Sequence, residues 1–275
     1  MSDSPYTQTI FNFRKARDER VKTNPQTWLA LIGLFRLDEG DNPFGTEPTN
    51  KIVLSEFTQK HCGSFHKKAG DISVQLLPDS NLTVNGLIPE ARPLRTDQDD
   101  DPDQIEIGPL IMRILQRGDN YYLRIWNKEA VALKTFTGYR YFPIKPDYRI
   151  IARFLRYDPP RTIRILDAIG TEYDNNFIGE AHFSLNGIDC SLVAEGDVDG
   201  DELLFSFKDP TGKDLTYPGG RFLTAPIPGK DQIILDFNQA LNWPCAYTAF
   251  ATCPLPPSEN HLAVRIEAGE MRYLK

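Results

Sequence analysis

The feature that most constrains the fold is a long series of short segments in which apolar and polar residues alternate. From about Lys51 onward such segments follow one another, each bounded by Gly, Asn, Asp or Pro. Alternation with a period of two places every second side chain on one face of a strand. Many short strands with hairpin-like links favour antiparallel sheets over a parallel β–α–β arrangement. The pattern predicts a mainly β protein, an antiparallel sandwich or barrel. Among these segments are YYLRIWN, YRIIARFLR, EAHFSLNG and ELLFSFKD.

The N-terminal region has a different periodicity. In SPYTQTIFNFRKARDERVK, Ser4 is a suitable N-cap and Pro5 suits the first helical position. Apolar residues then recur at helical spacing, and Asn24-Pro25 ends the run. The sequence therefore predicts an N-terminal α-helix packed against the outside of the β structure.

Chain length allows one large β domain or two smaller ones, since the sequence has 275 residues. We expect a single β-rich domain over residues 1–275. FPIKPDYR places two prolines between β-rich halves, so a sub-boundary near residues 142–149 is the alternative.

The amino-acid composition limits the kinds of molecule that the protein is expected to bind. The formal net charge of −7 argues against nucleic acid and against an anionic membrane surface. The first residues show no secretory signal, and four cysteines in such a chain indicate reduced thiols. We therefore expect a cytoplasmic protein with no membrane partner and no nucleic-acid partner. The acidic stretch DQDDDPDQ, residues 97–104, is predicted to be a solvated, mobile loop.

A segment near the C-terminus concentrates polar and reactive residues. DFNQALNWPCAYTAFATCPLPPSENH, residues 236–261, is too irregular for a helix and too rich in proline for a central strand. Asp236 ends a strand-like segment, and Asn238 and Asn242 follow it. Polar side chains at a strand end under a rigid loop are typical of a pocket. The alternative is a loop held by its own hydrogen bonds.

The two cysteines of this segment admit three interpretations. Cys245 and Cys253 are buried core residues, a catalytic or redox pair, or metal ligands. Their spacing matches no standard zinc motif, so no metal site is predicted.

Arg221 follows the turn of TYPGGRFLTAP. An arginine fixed at a strand start is a good fork for a carboxylate or phosphate. The alternative is an internal salt bridge to Asp236 or Glu267.

Two long stretches carry a resemblance to a known family. FKDPTGKDLTYPGGRFL and LDFNQALNWPCAYTAFATCPLPPSENHLAVRIEAGE closely resemble the C-terminal signature of domain of unknown function 1684, and WLALIGLFRLDEGDNPFG resembles its N-terminal block. The chain departs from the family pattern at Leu241, where tyrosine is usual, and at Trp243, where proline is usual. The resemblance gives no activity. The matching positions are Asp209, Thr211, Gly212, Thr216, Tyr217, Gly220, Arg221, Asp236, Asn238, Asn242, Cys245, Cys253, Asn260 and Glu270.

We expect a small-molecule binding protein whose pocket takes a compact polar or anionic ligand without a cofactor. The alternative is a hydrolase or transferase in which a cysteine is the nucleophile or Asp236 the general base, with Arg221 stabilising negative charge. The sequence has none of the standard catalytic motifs. The predicted ligand-binding residues are Tyr217, Arg221, Asp236, Asn238, Asn242, Cys245, Tyr247, Cys253 and Asn260.

Overall fold

A computed structural model describes residues 4–54, 58–90, 92–167, 170 and 172–274. The chain separates into two compact units. Unit 1 comprises Met1–Glu19 and Thr137–Lys275, and unit 2 comprises Arg20–Phe136. The second part of unit 1 thus begins shortly before the sub-boundary that the prolines near residues 142–149 suggest.

The predicted N-terminal helix is present as α1, Pro5–Thr23. Ser4 caps it, because its hydroxyl accepts a hydrogen bond from the Thr7 amide at 3.2 Å. Ile10, on the apolar stripe, is fully buried. Among the described residues, no helix is both long enough and apolar enough to cross a membrane.

Unit 2 contains two sheets that share one hydrophobic core. A five-stranded sheet has the order β1-β9-β8-β7-β6, and a four-stranded sheet has the order β3-β2-β4-β5. Phe44 and Phe65 from the smaller sheet and Leu123 from the larger belong to the same buried cluster, which gives a sandwich. The elements are β1 Leu31–Arg36, β2 Gly40–Gly45, β3 Ile52–Val53, β4 Gly63–Lys68, β5 Asp71–Leu76, β6 Thr83–Val84, β7 Ile105–Ile107, β8 Leu110–Arg117, β9 Asn120–Asn127 and the short helix α2 Val131–Lys134.

The acidic stretch of unit 2 is exposed over residues 98–101, as expected of a solvated loop, but Asp103 is not solvated. Asp103 is fully buried and accepts hydrogen bonds from the guanidinium groups of Arg92 and Arg95. Asp99 accepts from the Thr96 amide, as a local cap. The carboxylates are placed by specific donors, which a count of like charges along the sequence does not reveal.

Unit 1 is built on a seven-stranded antiparallel sheet of order β15-β10-β11-β12-β13-β14-β16. Its core includes Phe205, Phe207 and Phe237, all fully buried. The mainly β, antiparallel architecture with an N-terminal helix is therefore confirmed, in its sandwich-like rather than its barrel form. The strands are β10 Arg149–Leu166, β11 Glu172–Leu185, β12 Ile188–Glu195, β13 Glu202–Phe207, β14 Arg221–Pro226, β15 Gln232–Asp236 and β16 Leu241–Asn242.

Glycine at position 220 decides where β14 starts. Its φ is +101°, and a Cβ there would approach the Phe207 carbonyl oxygen to 2.6 Å. Only glycine combines this backbone conformation with this close approach. Gly220 thereby delivers Arg221 into the sheet at a fixed register, opposite Phe207 on β13 and Asn242 on β16.

Candidate functional site

The predicted site residues lie in several separate groups within unit 1. Arg221 is the centre of the first group, and its side chain is only 1% exposed. One terminal nitrogen donates to the Ala268 carbonyl at 2.5 Å, and the other donates to the Ile266 carbonyl at 2.7 Å. That second nitrogen also pairs with Asp209 at 3.0 Å. The acid that pairs with Arg221 is therefore Asp209, and not Asp236 or Glu267.

Asp209 closes this network from the other side. It is the N-cap of the 3₁₀ turn Pro210–Lys213 and accepts from the Thr211 amide and hydroxyl. The same carboxylate accepts from the Ile266 amide at 2.9 Å. Burial lowers the pKa of Arg221 while Asp209 acts to raise it. The arrangement connects residues 209–211, Arg221 and residues 266–268. This is the internal salt bridge given above as the alternative for Arg221, with a different acid.

Glu270 is the centre of the second group, which includes two of the predicted residues. Its carboxylate accepts from the Tyr247 hydroxyl at 2.5 Å and from the Asn242 amide at 3.1 Å. Arg17 of α1 donates to it at 3.1 Å. Burial raises the pKa of Glu270 despite these donors, and burial also raises the pKa of Tyr247. The group joins the helix to the C-terminal segment through a buried charge pair.

Cys245 and Cys253 form the third group, with Tyr217 beside them. The Cys245 amide donates to the Cys253 sulfur at 3.2 Å. All four cysteines of the chain are reduced thiols. Burial raises the pKa of Tyr217, and the two cysteine side chains add to that rise.

Asn260 makes the fourth group, and its side chain is hydrogen-bonded to backbone groups of β12 and β13. Its amide donates to the carbonyls of Val193 and Ser206, and its oxygen accepts from the Val193 amide at 2.7 Å. It is fully buried, and it binds the segment of residues 236–261, the signature loop, to β12 and β13. These bonds have a structural role.

Asp236 and Asn238 form the last group, at the end of β15, together with Tyr6 of α1. The Tyr6 hydroxyl donates to Asp236 at 2.9 Å, and the Asn238 amide donates to Tyr6 at 2.8 Å. Asn238 also bonds both backbone groups of Lys145. Burial, followed by the hydrogen bond to Asp236, raises the pKa of the Tyr6 hydroxyl. Tyr6 therefore stays protonated as the donor to Asp236.

The Asp236 group borders a cleft. The cleft has a volume of about 600 Å³. Arg149 enters it from the first residue of β10, directly opposite Asp236 in the strand register. Among the described residues, no carboxylate lies within ion-pairing distance of Arg149, which is exposed. The lining residues are Ser4, Tyr6, Thr9, Pro146, Arg149, Asp236 and Gln239.

The comparisons with known proteins place these groups in one family. A family model described as "Protein of unknown function (DUF1684)" matches residues 134–271. The chain belongs to this family. A solution NMR structure of an uncharacterized protein of Haloarcula marismortui is 30% identical, with a TM-score of 0.42. That match covers 50% of this chain and 78% of the other. No curated protein matches the chain.

The DUF1684 match includes all the predicted site residues but only part of the cleft. Arg149, Asp236 and Gln239 lie inside the matched range, whereas Tyr6 and Thr9 lie on α1, outside it. The sequence analysis missed Tyr6, Arg149 and Gln239. A signal existed only for Arg149, which follows the proline-rich FPIKPDY. Tyr6 gave none, because its partner Asp236 lies 230 positions away in the chain.

Proposed function

We propose that this DUF1684 protein binds a small polar ligand in the cleft between Asp236 and Arg149. The observation that carries the proposal is an exposed guanidinium opposite the Asp236 carboxylate in a cleft of about 600 Å³, with no carboxylate of the described part of the chain at ion-pairing distance from it. Small-molecule sites usually measure about 300–1,000 Å³. The proposal keeps the predicted kind of ligand and moves its anion-binding arginine from Arg221 to Arg149.

The lining defines the ligand chemistry. Arg149 offers a charged donor to an anionic group, and such hydrogen bonds are the strong ones. Asp236 offers an acceptor to an amine or hydroxyl at the other side, next to the Gln239 amide. Pro146 and the aromatic ring of Tyr6 supply apolar surface. The favoured ligand is therefore compact and carries both an anion and a hydrogen-bond donor, as amino acids and hydroxy acids do.

The cleft residues are held in place before any ligand arrives. The Asp236 carboxylate accepts hydrogen bonds from the Tyr6 hydroxyl, from the backbone amide of Asn238 at 3.1 Å and from the side-chain amide of Gln239 at 3.2 Å. The Arg149 guanidinium lies over the Tyr6 ring, 5.9 Å from its centre. A preformed site loses less side-chain entropy on binding.

The proposal includes a cytoplasmic location and excludes nucleic acid and membranes as partners. The four reduced cysteines support the location. The net charge of −7 supports the exclusion of polyanions. The hydrolase or transferase alternative has less support, because Arg221 makes its bonds to Asp209 and to backbone carbonyls.

A calorimetric titration with a panel of amino acids and short hydroxy acids tests the proposal. Arg149→Gln should weaken the best binder about 10- to 100-fold, the effect of losing one charged hydrogen bond. Arg153→Gln is the matched control, since Arg153 is exposed on the same strand and lies outside the cleft lining. Equal affinity of wild type and Arg149→Gln, or an equal loss in both variants, would refute the site.

A further inference from the structure

The two cysteines of the signature loop lie against each other. The Cys245 amide nitrogen is 3.2 Å from the Cys253 sulfur. Because a backbone nitrogen is about 1.5 Å from its own Cα, the Cys253 sulfur lies within about 4.7 Å of the Cys245 Cα. The Cys245 side chain is also hydrogen-bonded to Cys253. The two thiols are therefore neighbours in the fold, as a disulfide between them requires.

The loop between the cysteines is short and already closed. Cys245 lies in the 3₁₀ turn Pro244–Ala246, and its sulfur donates to the Ala251 carbonyl at 3.3 Å. The Tyr247 amide donates back to the Pro244 carbonyl at 3.0 Å. Since the fold itself brings the ends of this loop together, linking the sulfurs requires little further loop-closure entropy.

The two thiols differ in their exposure to solvent. Cys253 is 5% exposed, whereas Cys245 is half-buried and reachable from solvent. Hydrogen bonding from Cys253, with help from two backbone amides, lowers the pKa of the Cys245 thiol to about 7. Burial of Cys245 and the Asp167 carboxylate act in the opposite direction. Tyr217 also faces the pair and, with its own pKa raised, stays neutral.

The other two cysteines provide an internal contrast. Burial raises the pKa of the Cys62 thiol to about 11. Burial, followed by the Asp189 carboxylate, raises the pKa of Cys190. A thiol reacts as its thiolate, and attack is fastest when the pKa is near the ambient pH. Cys245 is therefore expected to react faster at neutral pH than Cys62 and Cys190.

We propose that Cys245 and Cys253 form a peroxide-reactive dithiol that converts reversibly to an intramolecular disulfide. The Cys245 thiolate attacks one oxygen of a hydroperoxide, the O–O bond breaks, and the departing oxygen takes a proton to leave as water or an alcohol. Cys245 is now a sulfenic acid. The Cys253 thiol loses its proton and attacks that sulfur, the S–O bond breaks, and water leaves. Two electrons pass from the sulfurs to the peroxide, and a dithiol reductant reverses the change.

Hydrogen peroxide itself is the probe for the test. Full-length protein at pH 7 receives one equivalent, and peptide mass spectrometry follows each cysteine over time. The segment holding Cys245 and Cys253 should lose two hydrogen atoms and regain them with dithiothreitol. Cys245 should react at least about tenfold faster than Cys190, because a thiol with an ordinary pKa of about 8.5 is only a few per cent ionised at pH 7.

Two variants separate the steps. In Cys253→Ser the sulfenic acid at Cys245 should persist and be trapped by dimedone, since no resolving thiol remains. Cys190→Ser is the matched control and should oxidise as the wild type does. If Cys253→Ser does not fold, the wild-type time course decides alone.

Three results would overturn the proposal. Oxidation of Cys190 as fast as Cys245 would show that Cys245 is not an activated thiol. Conversion of Cys245 to sulfinic acid with the Cys253 thiol intact would show that Cys253 does not resolve the sulfenic acid. A rate of Cys245 alkylation by iodoacetamide that rises with a midpoint near pH 8.5 instead of 7 would show an ordinary thiol.

Discussion

The start of β14 and the end of β15 both present charged residues of the family signature, yet the two regions use charge in opposite ways. At β14 the Arg221 guanidinium is buried and bonded to Asp209 and to backbone carbonyls of residues 266 and 268. At β15 the Asp236 carboxylate borders a cleft that also contains Arg149, and no carboxylate of the described residues lies within ion-pairing distance of that arginine. A buried ion pair needs all its partners in place, whereas an exposed arginine outside such a pair retains donors for a ligand.

The difference between these two regions shows that charged residues of the family signature can have either a structural or a ligand-binding role. A charge that is paired inside the protein orders the chain around it, and its removal leaves a buried partner unpaired. A charge at a cleft contributes little to stability, because water solvates it in the absence of a ligand. Stability measurements can therefore separate the two kinds of position.

Arg221→Ala should give the largest effect. The change leaves Asp209 buried without its guanidinium, and we expect a loss of about 3–5 kcal/mol in the free energy of unfolding by urea denaturation. Arg265→Ala, which breaks a half-exposed pair with Asp214, is the control and should change stability little. A small loss at Arg221, together with lost ligand binding, would reverse the roles of the two regions.

Asp103→Asn tests whether the loss of a buried, paired charge also destabilises unit 2. Although burial acts to raise it, hydrogen bonds from Arg92 and Arg95 hold the pKa of Asp103 well below its usual range. An acid with a lowered folded-state pKa stabilises the fold above its unfolded pKa of about 3.9, and this contribution is lost as the pH falls.

The variant should therefore be about 2 kcal/mol less stable than wild type at pH 7, and the difference should shrink below about pH 4. Denaturation curves from pH 7 to pH 2 measure it. Asp101→Asn is the control, because Asp101 is an exposed partner of the same Arg95. A difference that stays constant with pH would mean that the charge of Asp103 is not what stabilises unit 2.

Tyr247→Phe tests the Glu270 group with the loss of one hydroxyl. Glu270 would keep Arg17 and the Asn242 amide but lose its shortest hydrogen bond. We expect a loss of about 1–2 kcal/mol in thermal or urea unfolding. Tyr273→Phe keeps the ring that packs 5.4 Å from Tyr247, so it controls for the aromatic contact. Equal losses in both variants would assign the effect to packing.

Arg149→Gln should give the smallest effect on stability, within about 0.5 kcal/mol, because Arg149 is exposed and its one contact described above is the 5.9 Å approach to the Tyr6 ring. Thermal unfolding in the absence of ligand measures it. A loss comparable with that of Arg221→Ala would show that Arg149 has a structural role and would end the contrast between the two regions.

Local signals predicted the elements of the fold well. Ser4 and Pro5 placed the start of α1, and the alternating segments YYLRIWN, YRIIARFLR, EAHFSLNG and ELLFSFKD lie largely within β9, β10, β11 and β13. Each of these features depends on neighbours within a few positions. They are therefore visible in a single sequence.

The partners of the charged residues could not be predicted in this way. Arg221 pairs with Asp209, 12 positions earlier, and bonds a carbonyl 47 positions later. Neither distance follows from strand periodicity, which fixes the face of a side chain but not what lies opposite. The predicted loop thus contained residues of several groups, and the cleft depended on Tyr6, which no local pattern connected to Asp236.

The bond between Arg17 and Glu270 has a consequence for how the chain is made. The two residues are 253 positions apart. At about 5–20 residues per second, a ribosome needs roughly 13–50 seconds to add the second after the first. All the strand pairs of unit 2 lie between them in sequence, so unit 2 has its partners long before α1 does. During translation α1 therefore lacks its Glu270 contact until the C-terminal segment has been synthesised. Its apolar stripe is accessible to chaperones until then.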